Sequence, residues 1–160
     1  MPRELTLDEG SGLILQSPVA EFDALRKEAH ELKKTATGYS VTLNPKVADV
    51  VVDGIAGELH VSFGDFATLD VAGGLATLSF TDDEVGQGRK VRRARVETVR
   101  DLRIIVDTSV LEIYLNGGET VLSTRYFQEA DALELKVDCM ASSALAYEMD
   151  TLSIDYLVDR

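Results

Sequence analysis

The run at residues 102–127, LRIIVDTSVLEIYLNGGETVLSTRYF, constrains the fold more than any other part of the chain. Leu102, Ile104 and Val106 recur with period two and so share one face of an extended segment. The alternation breaks at Asp107-Thr108-Ser109 and resumes at Leu111, Ile113 and Leu115. Asn116-Gly117-Gly118 follows, residue types that accept the positive φ of a tight hairpin, and residues 121–127 return as a third strand. The pattern predicts a β-meander with one buried face.

The remaining chain repeats this rhythm. Tyr39, Val41 and Leu43 alternate before Asn44-Pro45, residues 50–52 lead to Asp53-Gly54, and Leu59, Val61 and Phe63 precede Gly64-Asp65. Ala67, Leu69 and Val71 meet Gly73-Gly74, residues 75–80 follow, and later strands are predicted around Leu133, Leu135, Val137 and around Leu152, Ile154, Tyr156. Short strands punctuated by turn residues at roughly 8–12-residue intervals predict an all-β sandwich or barrel, of which a two-sheet antiparallel sandwich is the architecture expected. Before it, Leu5, Leu7, Leu13 and Leu15 suit short strands around the turn at residues 8–12. From 19 to 34 the period changes: Phe22, Leu25, Ala29 and Leu32 recur every three or four residues, which predicts an amphipathic helix. The expected division is therefore a junction with its helix at 1–34 and a β-sandwich at 35–160.

At 160 residues the chain is long enough for one substantial core, and 45% hydrophobic with 28% charged residues is a globular balance. No apolar run nears the roughly 20 residues that span a bilayer, and MPRELTLDEG lacks the apolar stretch of a signal peptide. The net charge of −12 disfavours nucleic acid and anionic membranes as partners. A single cysteine, Cys139, rules out an internal disulfide framework and makes a reducing, cytoplasmic compartment the expected location.

Asp107, Ser109, Glu112, Asn116, Gly118, Ser123 and Arg125 follow the order and spacing of a known signature, with Tyr114, Gly117 and Gln128 as departures from it. The run resembles the C-terminal β-sandwich domain of glycoside hydrolase family 32, the invertase, levanase and sucrose-6-phosphate hydrolase group. Pro2-Arg3-Glu4-Leu5 resembles that family's PREL motif, found where a catalytic five-bladed propeller hands over to the sandwich. Pro18-Val19 followed by Leu25-Arg26 resembles the connecting helix. The resemblance implies a jelly-roll, concanavalin-like sandwich that stabilises the propeller of a β-fructosidase acting on sucrose, sucrose 6-phosphate or fructans, and that can support homo-oligomer contacts. Pro2, Arg3, Glu4, Arg26, Arg92 and Arg93 are then the candidate domain-interface residues, and Asp107, Glu112, Asn116 and Arg125 the structural signature.

Catalytic residues are not assigned. A retaining glycosidase needs two carboxyl groups about 5–5.5 Å apart, and the resembled family carries them in WMNDPNG-like, RDP and EC motifs. This chain contains no Trp, no Asp-Pro and no Glu-Cys. Asp107 is expected to cap the turn after its strand, and Glu112 to pair with Arg103 or Arg125 across strands, a contribution of about 0.2–1 kcal/mol. His30 and His60 lie far apart without partners at metal spacing, so no metal or triad role is assigned to either, and no cofactor is expected. Gly86-Gln87-Gly88 lacks the following helix of a phosphate loop.

Cys139 reads as a small buried hydrophobe. Residues 89–103 hold seven of the 16 basic residues. They read as an edge strand protected by charge, or as a protein contact, in preference to a sugar-phosphate site. A free-standing carbohydrate-binding module is the alternative function, with Tyr39, Tyr114, Tyr126 and Tyr147 available to line a weak sugar site.

Overall fold

The computed structural model describes residues 1–150. Strands β1 (Arg3–Leu7) and β2 (Ile14–Pro18) form an antiparallel hairpin, and helix α1 (Ala20–Asp23) follows as a single turn. The chain continues through β3 (Arg26–Glu31), β4 (Lys33–Lys34), β5 (Gly38–Leu43), β6 (Val47–Asp53), β7 (Ala56–Phe63), β8 (Ala67–Ala72) and β9 (Leu75–Phe80). After the one-turn helix α2 (Asp83–Gly86) come β10 (Val91–Arg95), β11 (Asp101–Asp107), β12 (Val110–Leu115), β13 (Thr120–Arg125), β14 (Leu133–Met140) and β15 (Ser143–Met149). One sheet runs β10-β9-β8-β7-β14-β5-β4 and the other β13-β12-β11-β6-β15-β3, all antiparallel. This is the expected two-sheet sandwich.

Period two builds the core. Leu122, Ile113, Ile104, Val50 and Ala146 stand opposite one another across five strands of one sheet. Leu78, Leu69, Val61, Val137 and Tyr39 form the facing row on the other. Most of these side chains are sealed from solvent, so the two rows interlock into one hydrophobic cluster. Asn116, Gly117 and Gly118 all take positive φ, as the turn required, while Leu115 and Thr120 remain in register.

Two expectations change. The helix predicted over 19–34 is one turn at Ala20–Asp23, and Arg26–Glu31 is a strand at the edge of the six-stranded sheet. The stretch assigned to the junction thus contributes β3 and β4 to the sandwich. Its physical reason is pairing with β15, where Leu145, Ala146 and Tyr147 stand opposite Glu31, His30 and Ala29. Ladder bonds to an existing sheet outweigh a weak local helical preference. Strand β15 has no large-apolar alternation to announce it, because its inward residues are Ala144 and Ala146. The strand expected at 152–156 lies outside the described residues.

Candidate functional site beneath the N-terminal hairpin

The strands that fill the core also bury their opposite face. Asp49 (0% exposed), Glu112 (3%) and Tyr114 (3%) all point away from the core, onto the outer side of the six-stranded sheet. Buried polar side chains require partners, and here Arg3 and Arg26 of the N-terminal segment supply them together with Arg103 of the sheet itself.

Arg3 reaches the sheet from β1. Its guanidinium donates to Gln16 Oε1 at 2.9 Å, to Glu112 Oε1 at 3.2 Å and to the Ser123 hydroxyl. It also lies 5.7 Å from the Tyr114 ring centroid, and the Tyr114 hydroxyl donates to the other Glu112 oxygen. Burial alone would lower the Arg3 pKa, but the Glu112 carboxylate outweighs it and holds the guanidinium above its ordinary value. Gly118 permits this docking: a Cβ there would sit 1.9 Å from the Gln16 carbonyl oxygen.

A second cluster pins α1 and β3. Arg103 grips Asp49 with Nε at 2.9 Å and Nη2 at 2.6 Å, and Arg26 reaches the same carboxylate at 2.7 Å. Asp23 at the end of α1 accepts from Arg103 at 2.5 Å, and Arg26 stacks 4.3 Å over the Tyr147 ring. For Arg103, desolvation works downward and the Asp49 carboxylate more than restores it, leaving the pKa raised. Between the two clusters lies a depression of about 240 Å³ bordered by Arg26, Arg103, Asp53, Asp101, Tyr114 and Tyr147.

The expected residues fall as follows. Glu112 pairs with Arg3, not with Arg103 or Arg125, because its cross-strand neighbours are Ile105 and Ser123. Arg103 is committed to Asp49, and Arg125 lies 5.3 Å over Phe127. Asp107 ends β11 at the turn and accepts from the Thr108 hydroxyl at 3.4 Å. Asn116 staples the hairpin end to the preceding loop, donating to Thr98 O and accepting from Arg100 N, both at 2.8 Å. Arg26 is half-buried against Asp49, whereas Arg92 and Arg93 lie on β10, at the edge of the other sheet. Pro2 and Glu4 flank Arg3 and are exposed.

Tyr126 lies in the core, stacked 5.2 Å from Phe66, and offers no open face to a sugar, while half-buried Tyr39 packs against the core and donates to Ala141 O at 2.9 Å. Cys139 is buried, and burial pushes its thiol pKa up, as for an inert core residue.

Asp49 carried no signal in the sequence, since a lone acid in a valine-rich strand has no distinctive spacing. His60 also gains partners through the fold. Asp70 lies 2.6 Å from Nδ1 and Ser62 Oγ 3.2 Å from Nε2, the contact order of a serine–histidine–carboxylate triad. The arrangement follows from register, because His60 and Asp70 are direct cross-strand neighbours. Strand β7 pairs on both sides, so its amides serve the ladders and none is aimed at an oxyanion. Among the described residues no group of three or more His, Cys, Asp or Glu side chains is placed to hold a metal ion.

The buried phenols make a pH prediction. Burial, and then the charge of Asp107, push the Tyr126 pKa up to about 12; burial, and then Glu112, push Tyr114 upward as well. Tyrosines in the unfolded chain ionise near pH 10, so the stabilisation is complete below about pH 10 and is lost as pH rises toward 12. For Tyr126 the loss is on the order of 3 kcal/mol. Tyrosinate absorbance followed with circular dichroism should show two of the five tyrosines ionising only as the sheets melt. Ionisation of all five in a folded protein would contradict the burial.

A family model described as glycosyl hydrolases family 32 C terminal matches residues 26–155. A probable sucrose-6-phosphate hydrolase of Vibrio cholerae is 32% identical over 160 residues, covering 96% of this chain but 29% of the relative. A sucrose-6-phosphate hydrolase of Salmonella typhimurium is 37% identical over 120 residues, 73% of this chain and 24% of the relative. The chain therefore spans under a third of these relatives' length. A solved family 32 glycoside hydrolase from Bifidobacterium adolescentis superposes with a TM-score of 0.78 at 21% identity, over 94% of this chain and 25% of that one. A Bombyx mori β-fructofuranosidase gives 0.66 at 22% identity, over 92% and 32%. The structural likeness carries the sandwich fold, and with the family match over most of its length the chain belongs to the C-terminal domain of glycosyl hydrolase family 32.

Proposed function

We propose that the chain is the non-catalytic sandwich of a β-fructosidase of the sucrose-6-phosphate hydrolase type, and that its N-terminal hairpin is the docking element for a catalytic β-propeller. The hairpin register carries this reading. Arg3, Leu5 and Leu7 share a face with Pro18, Gln16 and Ile14 opposite them. At the base of that face Arg3 and Pro18 meet the sandwich; toward the tip Leu5 (65% exposed), Leu7 (61%) and Ile14 (61%) overhang it. An apolar overhang on a two-stranded sheet with open edges suits added strands from a partner. Pro2, Arg3 and Glu4 lie at the root of this contact. Homo-oligomer contacts belong to the same proposal, and sedimentation velocity tests them.

The expected result is twofold. The purified chain does not cleave sucrose or sucrose 6-phosphate, and it forms a soluble complex with a co-expressed family propeller. Leu5→Asp with Leu7→Asp abolishes that complex while shifting the chain's own Tm by less than about 2 °C, because both side chains are solvent-exposed. Hydrolysis by the chain alone, or a complex indifferent to the substitutions, would overturn the proposal.

The second reading, a carbohydrate-binding module, rests on the depression that Asp53 and Asp101 border, with its polar groups rather than aromatic faces toward a sugar, since Tyr114 is 3% exposed and Arg26 covers the Tyr147 ring. Calorimetry with fructose, sucrose and inulin separates the two, since saturable binding without any propeller supports the module.

A further inference from the structure

The basic run divides by side-chain direction. On β10, Arg93 and Arg95 stand opposite Thr77 and Leu75 and face outward, where their charge protects the sheet edge. Arg92 stands opposite Leu78, a fully buried core residue, and so points to the other side, toward the mouth between the two sheets. Edge strand β13 of the facing sheet borders that mouth. There Arg92 meets Arg89 and Arg125 around a depression of about 230 Å³ completed by Ser123, Thr124 and Val110.

No carboxylate lines this depression. By contrast Arg3, Arg26, Arg100 and Arg103 each hold one. Arg89 is steadied by one bond from Nη1 to Gly86 O at 2.9 Å, and Arg125 by the Phe127 ring. Three arginines thus border one depression with no carboxylate in its lining, in a chain whose net charge of −12 offers carboxylates elsewhere. A tetrahedral oxyanion supplies the missing counter-charge and matches the planar donor forks of arginine, and the Ser123 hydroxyl, which already accepts from Arg3, keeps its own proton to donate.

We infer that the mouth between β10 and β13 is a phosphate-monoester site, with Arg89, Arg92 and Arg125 as its anion ligands and room beside them for part of the group that bears the phosphate. The assignment goes beyond the docking proposal and uses no residue of β1 or β2.

Isothermal calorimetry on the 160-residue chain, in a phosphate-free buffer of low ionic strength, tests the site with inorganic phosphate, glucose 6-phosphate, glucose and poly-glutamate. The expected result is saturable binding of the first two at one site per chain and none of glucose. The Arg92→Gln/Arg125→Gln pair weakens that binding at least about tenfold. The outward pair Arg93→Gln/Arg95→Gln changes it less than about twofold. Four results overturn the inference: heats that do not saturate, glucose binding as well as its phosphate, equal losses in the two variant pairs, or binding of poly-glutamate with phosphate silent. The last would make the surface a contact for an acidic protein instead. All four arginine side chains are exposed or at the rim, so both variants are expected to fold, and circular dichroism checks it.

Discussion

Asp49→Asn is expected to destabilise the chain by about 3 kcal/mol, the largest loss from any single polar substitution in the sandwich. Asp49 is wholly buried and neutralises two guanidinium groups, with contacts of 2.6–2.9 Å to Arg103 and 2.7 Å to Arg26. Asparagine keeps the shape and removes the charge, leaving two cations against a carbonyl dipole. The figure belongs at the lower end for a broken buried pair because Arg26 and Arg103 retain about a fifth of their exposure and can recover some hydration. Urea denaturation measures the loss. Asp23→Asn is the control: its half-exposed carboxylate touches the same arginines, and its removal should cost under about 1 kcal/mol. Equal losses in the two variants would show that the cluster is not centred on Asp49.

Gly118→Ala should release the hairpin without unfolding the sandwich. The new Cβ would stand 1.9 Å from the Gln16 carbonyl oxygen and 3.0 Å from its amide nitrogen, at a φ of +92° that L-residues avoid. Gln16 is held by the β1 ladder and by Arg3, so the overlap cannot be relieved by turning a flexible side chain. Backbone strain and overpacking together cost about 2–4 kcal/mol, concentrated at this contact. Hydrogen exchange should therefore accelerate about 30- to 1,000-fold across β1 and β2, with the β11 and β6 amides little changed. Unaltered protection of the hairpin would mean that Gly118 is not what admits it. Combined with a propeller-binding assay, the variant also reports whether a docked hairpin is needed for assembly.

The two variants mark where sequence pattern stops being informative. Leu102, Ile104 and Val106 with Leu111, Ile113 and Leu115 announce their strands because each buries the same face at every second position, and burial of that face also sets the register. Asn116-Gly117-Gly118 is readable for a similar reason, since few residues accept its backbone angles. Strand β3 has no such mark. Nearly all its residues are exposed, and it is held by its ladder to β15 and by the Arg26–Asp49 bond. The Phe22, Leu25, Ala29, Leu32 spacing that runs through it points to a helix that the edge of the sheet overrides.

Partner choice among charges was equally hidden. Glu112 lies within a few residues of several arginines in sequence or across strands, yet its partner is Arg3, 109 positions away. Arg125 lies far along the chain from Arg89 and Arg92 and joins them only because two edge strands border one mouth. From the sequence alone followed the fold class, the meander with its turn and the family resemblance, since these depend on local periodicity and on residue types that few backbones accept. The tertiary structure alone decided which face of the meander hides Asp49 and Glu112, which arginines neutralise them and which are left open to an anion, because those outcomes depend on contacts between segments distant along the chain.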